Sequence, residues 1–166
     1  MAVRILVAGM GNVLRGDDGF GVAVAQRLLD GPVPEGVTVM DVGIGGIHMV
    51  QALFDPTDGL VVIDAVDLGR HPGTVVVIKP EVTDVAGLSL ADRNDQLADM
   101  HYATPARAFM LARGLSILPD ATWLVGCQPV DAERYGEGLS PQVQNAVEAA
   151  IAEVKALVST MGVSWT

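Results

Sequence analysis

Four apolar residues, Ile5-Leu6-Val7-Ala8, run directly into Gly9-Met10-Gly11-Asn12-Val13-Leu14-Arg15-Gly16-Asp17-Asp18-Gly19-Phe20-Gly21. Behind that stretch Phe20, Val24, Ala25, Leu28 and Leu29 recur at the spacing of one helix face. A strand, a glycine-rich turn and a helix in this order direct the chain towards an open α/β sheet, in which ligands sit beyond the carboxyl ends of the strands. Two carboxylates, Asp17 and Asp18, stand at the helix start, where a nucleotide-binding protein needs bare amides.

The remaining pattern extends this reading. Strands are expected over Val3–Ala8, Val37–Asp41, Gly59–Asp64, Thr74–Ile78 and Thr122–Gly126, as continuous apolar runs suited to strands covered on both faces. Helices are expected over Gly19–Asp30, Ile47–Phe54, Tyr102–Gly114 and Pro141–Met161. In the last, Ser140 stands at the cap, Pro141 suits the first turn, and Gly162 closes the element. The alternation predicts a three-layer α/β fold: a mostly parallel, twisted sheet of about five strands with helices on both faces. No helix separates the third and fourth strands, so Arg70-His71-Pro72-Gly73 reads as a hairpin turn and one strand as antiparallel. The segment Glu81–Met100 has little pattern and several acids, which suits either a functional excursion or a solvated one.

With 166 residues, half of them hydrophobic, one domain over 1–166 is the simplest organisation. The net charge of −10 argues against nucleic acid and anionic membranes as partners. No run is long enough to span a membrane, and the N-terminal apolar run carries Arg4 and lacks a cationic lead, so a signal peptide is not expected. The lone Cys127 excludes an internal disulfide and suits a reducing, cytoplasmic setting.

A dinucleotide fingerprint requires glycine at 9, 11 and 14, but position 14 is Leu. Like charges ~5 Å apart at an effective dielectric of ~20 repel by ~3 kcal/mol, which sets Asp17 and Asp18 against a pyrophosphate. The spacing lets Asp17 cap the helix while Asp18 faces the sheet edge. Asp64 ends the run Leu60-Val61-Val62-Ile63, so its carboxylate emerges at the same edge. His101 precedes a helix at the end of the acidic segment, whereas His48 and His71 read as ordinary surface or partly packed residues. Two carboxylates and an imidazole suit several divalent metals, nickel and zinc among them. Cys127 follows an apolar strand and reads as buried, and no Gly-x-Ser-x-Gly elbow is present. Alternatives are a non-catalytic flavodoxin-like module that binds metal or protein, and a nucleotide-binding domain.

The series Gly9-x-Gly11-Asn12-x-Leu14-x-x-Asp17-Asp18-Gly19-x-Gly21 resembles the opening signature of the hydrogenase maturation proteases. Further along, Asp41-Val42-Gly43-Ile44-Gly45-Gly46, Ile63-Asp64-Ala65, Gly73-Thr74, Gly126-Cys127-Gln128-Pro129 and Leu139-Ser140-Pro141 are similar to later family segments, in the family's order. The resemblance implies an aspartic-type endopeptidase that trims the C-terminal extension from the large subunit precursor of a nickel–iron hydrogenase. It implies that nickel, supplied by the precursor, is the recognition element. By matching position, the metal-contacting and catalytic residues fall on Asp18, Asp64 and His101. Gly43, Gly45 and Gly46 are expected to admit the substrate backbone, with Asp41 as a further acid beside it.

Overall fold

The computed structural model describes residues 2–82, 84, 89–92 and 105–166. Its strands are β1 (Ile5–Met10), β2 (Val37–Gly43), β3 (Gly59–Ala65), β4 (Val75–Ile78) and β5 (Ala121–Cys127). A 3₁₀ turn (Gly16–Gly19) leads into α1 (Phe20–Leu29), followed by α2 (Ile47–Ala52), α3 (Pro105–Gly114) and α4 (Pro141–Thr160). Five strands form one sheet in the order β2-β1-β3-β5-β4. The pairs β1–β2, β1–β3 and β3–β5 are parallel, and β4 is antiparallel to β5.

Strand periodicity divides the core into two layers. Ile5, Val7, Val61, Ile63, Val125 and Cys127 point to the face covered by α1 and α4. Their neighbours Leu6, Ala8, Leu60, Val62 and Leu124 point to the face covered by α2 and α3. The central strands β1 and β3 are buried almost throughout, which is why their sequences show unbroken apolar runs. The stripe of α4, including Val143, Val147, Ala150, Val154 and Val158, lies wholly in the first layer.

The predicted antiparallel strand is present, but its partner differs from a simple hairpin. β4 pairs with β5 and not with β3, because β5 lies between them. The segment after β3 instead crosses the end of β5. The Val66 amide donates to the Cys127 carbonyl (2.9 Å), the Gly73 amide to the Gln128 carbonyl (2.8 Å), and the Gln128 amide to the Thr74 carbonyl (2.9 Å). Local patterning located a chain reversal, but a strand from much later in the sequence supplies the pairing. Most of the predicted Glu81–Met100 excursion, and residues 102–104 of the predicted third helix, lie outside the described residues.

Glycines set how deeply α1 sits on the sheet. A Cβ on Gly21 would stand 2.1 Å from the Ile63 carbonyl oxygen and 2.3 Å from that of Met10. One on Gly9 would stand 2.2 Å from the Gly21 carbonyl oxygen. The helix backbone therefore rests directly on the ends of β1 and β3. Gly21→Ala should destabilise the protein by about 2 kcal/mol or more, because backbone rather than a flexible side chain must yield. Gly31→Ala, whose nearest atom would be 3.9 Å away, should be close to neutral. Urea unfolding midpoints check both.

Candidate active site

The chain leaves β1 towards β2 on one side and returns to β3 on the other, so the strand order switches between β1 and β3. Beyond the carboxyl ends of these two strands the adjoining loops diverge and leave a crevice, the usual binding position in an open α/β sheet. Asp18 lies in the 3₁₀ turn after β1, and Asp64 is the penultimate residue of β3. The structure brings these two predicted residues together.

Asp64 is 5% exposed, and its Oδ1 is buried with no hydrogen-bond partner. Burial raises its pKa well above the ordinary carboxylate value. The Asp18 charge raises it further, against a modest opposing bond from the Ala65 amide. Asp18 is half-buried, and its Oδ2 accepts a bond from the Asn12 amide (2.9 Å). Its pKa is also raised, chiefly by burial, while the Asn12 amide and the Arg15 charge pull it down. Two neighbouring carboxylates, both disfavoured as anions, form a site whose electrostatic deficit a cation or a proton relieves.

Asp17 has a different task. It is 1% exposed and does not cap α1, whose N-cap position is Gly19 with no side-chain cap bond. Its Oδ1 accepts from the Ser140 amide (2.7 Å). Its Oδ2 accepts from the Ser140 hydroxyl (2.8 Å) and the amides of Val130 (2.8 Å) and Asp131 (3.3 Å). These bonds outweigh burial and hold the Asp17 pKa below its ordinary value. The 3₁₀ turn ends before the helix begins, so the Asp17 side chain reaches across to the segment joining β5 to α4. Ser140 occupies the N-cap position of α4 as predicted, but its hydroxyl serves Asp17 rather than the helix.

The other predicted residues fall as follows. Asp41 is exposed, and its carboxylate accepts bonds from the Gly43 amide (3.1 Å) and Gln26 Nε2 (3.5 Å). Gly43 and Gly45 have left-handed backbones (φ 57° and 85°), and a Cβ on either would meet open space. Gly46 is buried at the N-cap of α2, where a Cβ would stand 3.0 Å from Ala108 Cβ and Met10 Cε. His101 lies outside the described residues. Cys127 is fully buried, and burial with the Asp17 charge pushes its thiol up to about 11, which removes it as a nucleophile at neutral pH. Among the described residues no group of three metal-ligating side chains forms.

Two supporting residues escaped the sequence reading. Gln128 is 8% exposed; its Oε1 accepts from the amides of Leu68 (2.6 Å) and Arg70 (3.3 Å), and its Nε2 donates to Asp67 Oδ1 (3.1 Å). It fixes the segment that follows Asp64. Asn12 holds Asp18 through its amide, while its Oδ1 accepts from the Leu14 amide (3.0 Å). A polar residue just past an apolar strand was the available signal for Gln128, the same one that marked Asp64.

Comparison with known proteins decides the family. The model of the hydrogenase maturation protease family matches residues 22–157. The chain belongs to this family. The chain is therefore a peptidase of hydrogenase maturation, as the Gly9–Gly21 signature implied. It is 34% identical to the hydrogenase expression/formation protein HupD of Rhodobacter capsulatus, over 98% of this chain and 75% of that protein. The hydrogenase maturating endopeptidase HybD of E. coli superposes with a TM-score of 0.76 at 27% identity, covering 98% of this chain and 96% of its own. A hydrogenase 2 maturation peptidase from a thaumarchaeon superposes with a TM-score of 0.68 at 32% identity, covering 94% and 98%.

The opposite environments of Asp17 and Asp64 give this maturation protease opposite responses to substitution. Asp17→Ala strands several buried donors and should cost about 3 kcal/mol at neutral pH. The folded pKa of Asp17 is depressed, so its contribution is present above the unfolded value near 3.8 and is lost as pH falls below it. Asp64→Asn should instead raise the melting temperature at neutral pH. The folded pKa of Asp64 is raised, so the penalty of its charge is fully present above that value and is relieved as pH falls through it. The gain in Asp64→Asn should therefore shrink with acidification. Thermal melts of the variants across pH 3–8 check both signs.

Proposed function

We propose that this protease removes the C-terminal extension of a nickel–iron hydrogenase large subunit precursor after nickel insertion. The observation that carries the reading is the buried, unpartnered Asp64 Oδ1 beside the Asp18 carboxylate at the sheet's switch point. Such a pair gains most from a ligand that brings a cation with it. Nickel is here part of the substrate, held mainly by the precursor's own cysteines. Oxygen donors from Asp18 and Asp64 and an imidazole from His101 suit a partial outer set of ligands for it. His101 precedes Pro105, the first residue of α3, by four residues. Asp64 shares the strand face of Leu60 and Val62, the face that α3 covers. This supports His101 as the third member.

Metal reading follows from the same electrostatics. A precursor without nickel brings nothing to neutralise two adjoining carboxylates, so its cleavage segment is not retained. Hydrolysis adds water to the scissile carbonyl, breaks the C–N bond and delivers a proton to the leaving amine. Asp64, whose proton affinity burial raises most, is the carboxylate suited to that traffic, which supports an aspartic-type assignment. Gly43 and Gly45 leave room for the extended backbone of the precursor, and Asp41 lies beside them. A cytoplasmic setting agrees with the single buried thiol. Among the described residues no helix is long and apolar enough to cross a membrane.

The purified protein is mixed with nickel-loaded and nickel-free large subunit precursor, and the precursor's intact mass is followed. The loaded form alone should lose a C-terminal peptide. Asp18→Asn, Asp64→Asn and His101→Ala should each slow this by about 100-fold or more while the protein remains folded. Equal cleavage of both forms would overturn the role of nickel. Cleavage of neither, with binding intact, would overturn the proposed substrate reaction.

A further inference from the structure

We propose that a ridge of exposed apolar residues from three loops, centred on Leu14 and Tyr135 and extended by Ile44, is the docking surface for the folded body of the precursor. The inference rests on the substrate reading above and adds the surface that selects it.

Three contacts join these loops into one feature. The Gly11 amide donates to the Gly43 carbonyl (3.0 Å), joining the loop after β1 to the loop after β2. The Gly136 amide donates to the Leu14 carbonyl (2.8 Å), and the Gly16 amide to the Gly136 carbonyl (2.9 Å), joining the loop after β1 to the segment after β5. On this framework Tyr135 is 82% exposed, Ile44 62% and Leu14 56%. The Arg15 guanidinium lies over the Tyr135 ring, 5.7 Å from its centre.

The ridge is continuous with the candidate active site. Asn12 bonds Asp18 through its amide and Leu14 through its side-chain oxygen. Asp17 fixes Val130, Asp131 and Ser140, the two ends of the segment that carries Tyr135. A protein whose cleavage segment enters between Asp18 and Asp64 must lie across these loops. Tyrosine and arginine together are the residue types that most often dominate binding at such contacts. The acids Asp41, Asp131, Glu133 and Glu137 outnumber the cations Arg15 and Arg134 around the ridge, so the matching face of the precursor is apolar with a mainly basic fringe.

The test is steady-state processing of nickel-loaded precursor by the full-length protein. Tyr135→Ala, Leu14→Ser and Ile44→Ser, each on a different loop, should raise KM about tenfold or more with kcat nearly unchanged. Tyr135→Phe should behave like the wild type. Leu29→Ser, an exposed site at the far end of α1, should have no effect. Unchanged KM in all three ridge variants, with wild-type processing normal, would overturn the ridge and leave the substrate reading intact. Failure of the wild type to process any loaded precursor would overturn the substrate reading itself. Sedimentation of the same variants decides against a second copy as occupant. Loss of a wild-type dimer in Tyr135→Ala, with KM unchanged, would assign the ridge to self-association and overturn the proposal.

Discussion

The site depends on the direct contact between the backbone of α1 and the ends of β1 and β3. A side chain on Gly21 would overlap the carbonyls of Met10 and Ile63, so the helix can approach this closely only with glycine there. The approach draws the 3₁₀ turn down onto the sheet edge and places Asp18 against the end of β3. The electrostatic stress on Asp64 follows from backbone packing that involves neither acid directly.

Adjacent carboxylates in this turn illustrate how environment divides roles. Asp17 is the more deeply buried of the pair, yet remains a comfortable anion because four donors converge on it. Asp18 is more accessible and accepts one amide bond, and its charge raises the proton affinity of Asp64. Burial raises the proton affinity of every one of these carboxylates; what decides the net direction is whether the burial comes with donors that offset it. Asp17 uses its stability to fix the segment from Val130 to Ser140, and Asp18 and Asp64 keep unsatisfied capacity for a ligand. The stability that Asp17 supplies helps the fold tolerate the cost of the unpartnered Asp64 Oδ1.

Much of the fold and the central pair are legible in the sequence. Continuous apolar runs marked β1 and β3 because both faces of those strands are buried, and the α4 stripe marked a helix lying along the sheet. Asp64 stood out because a charged residue ended an otherwise apolar strand. The partner of β4 was not legible, since pairing between Val75–Ile78 and Leu124–Cys127 joins residues distant in sequence. Nor was the target of Asp17. A capping position predicts a carboxylate seeking amides, but the nearest amides in sequence lost to those of Val130, Asp131 and Ser140, delivered by the fold. Gln128 and Asn12 were overlooked for a related reason. Their importance lies in what they hold, Leu68 and Arg70 in one case and Asp18 in the other, and a linear pattern does not display such partners.

The switch point gives these observations a common logic. Strand order reverses between β1 and β3, so the loops beyond them diverge and leave a crevice that the chain must line with something. In nucleotide-binding proteins built on an open α/β sheet the lining is amide-rich and receives an anion. Here the lining is two carboxylates, one of them buried with an idle oxygen, and the same crevice is inverted in its charge preference. The loops that form its walls carry exposed Leu14, Ile44 and Tyr135 rather than a closed apolar pocket. On the proposed reading, a crevice that favours a cation and is bordered by exposed apolar side chains suits a metal presented on a protein better than a free ion, which would leave those side chains without a counterpart.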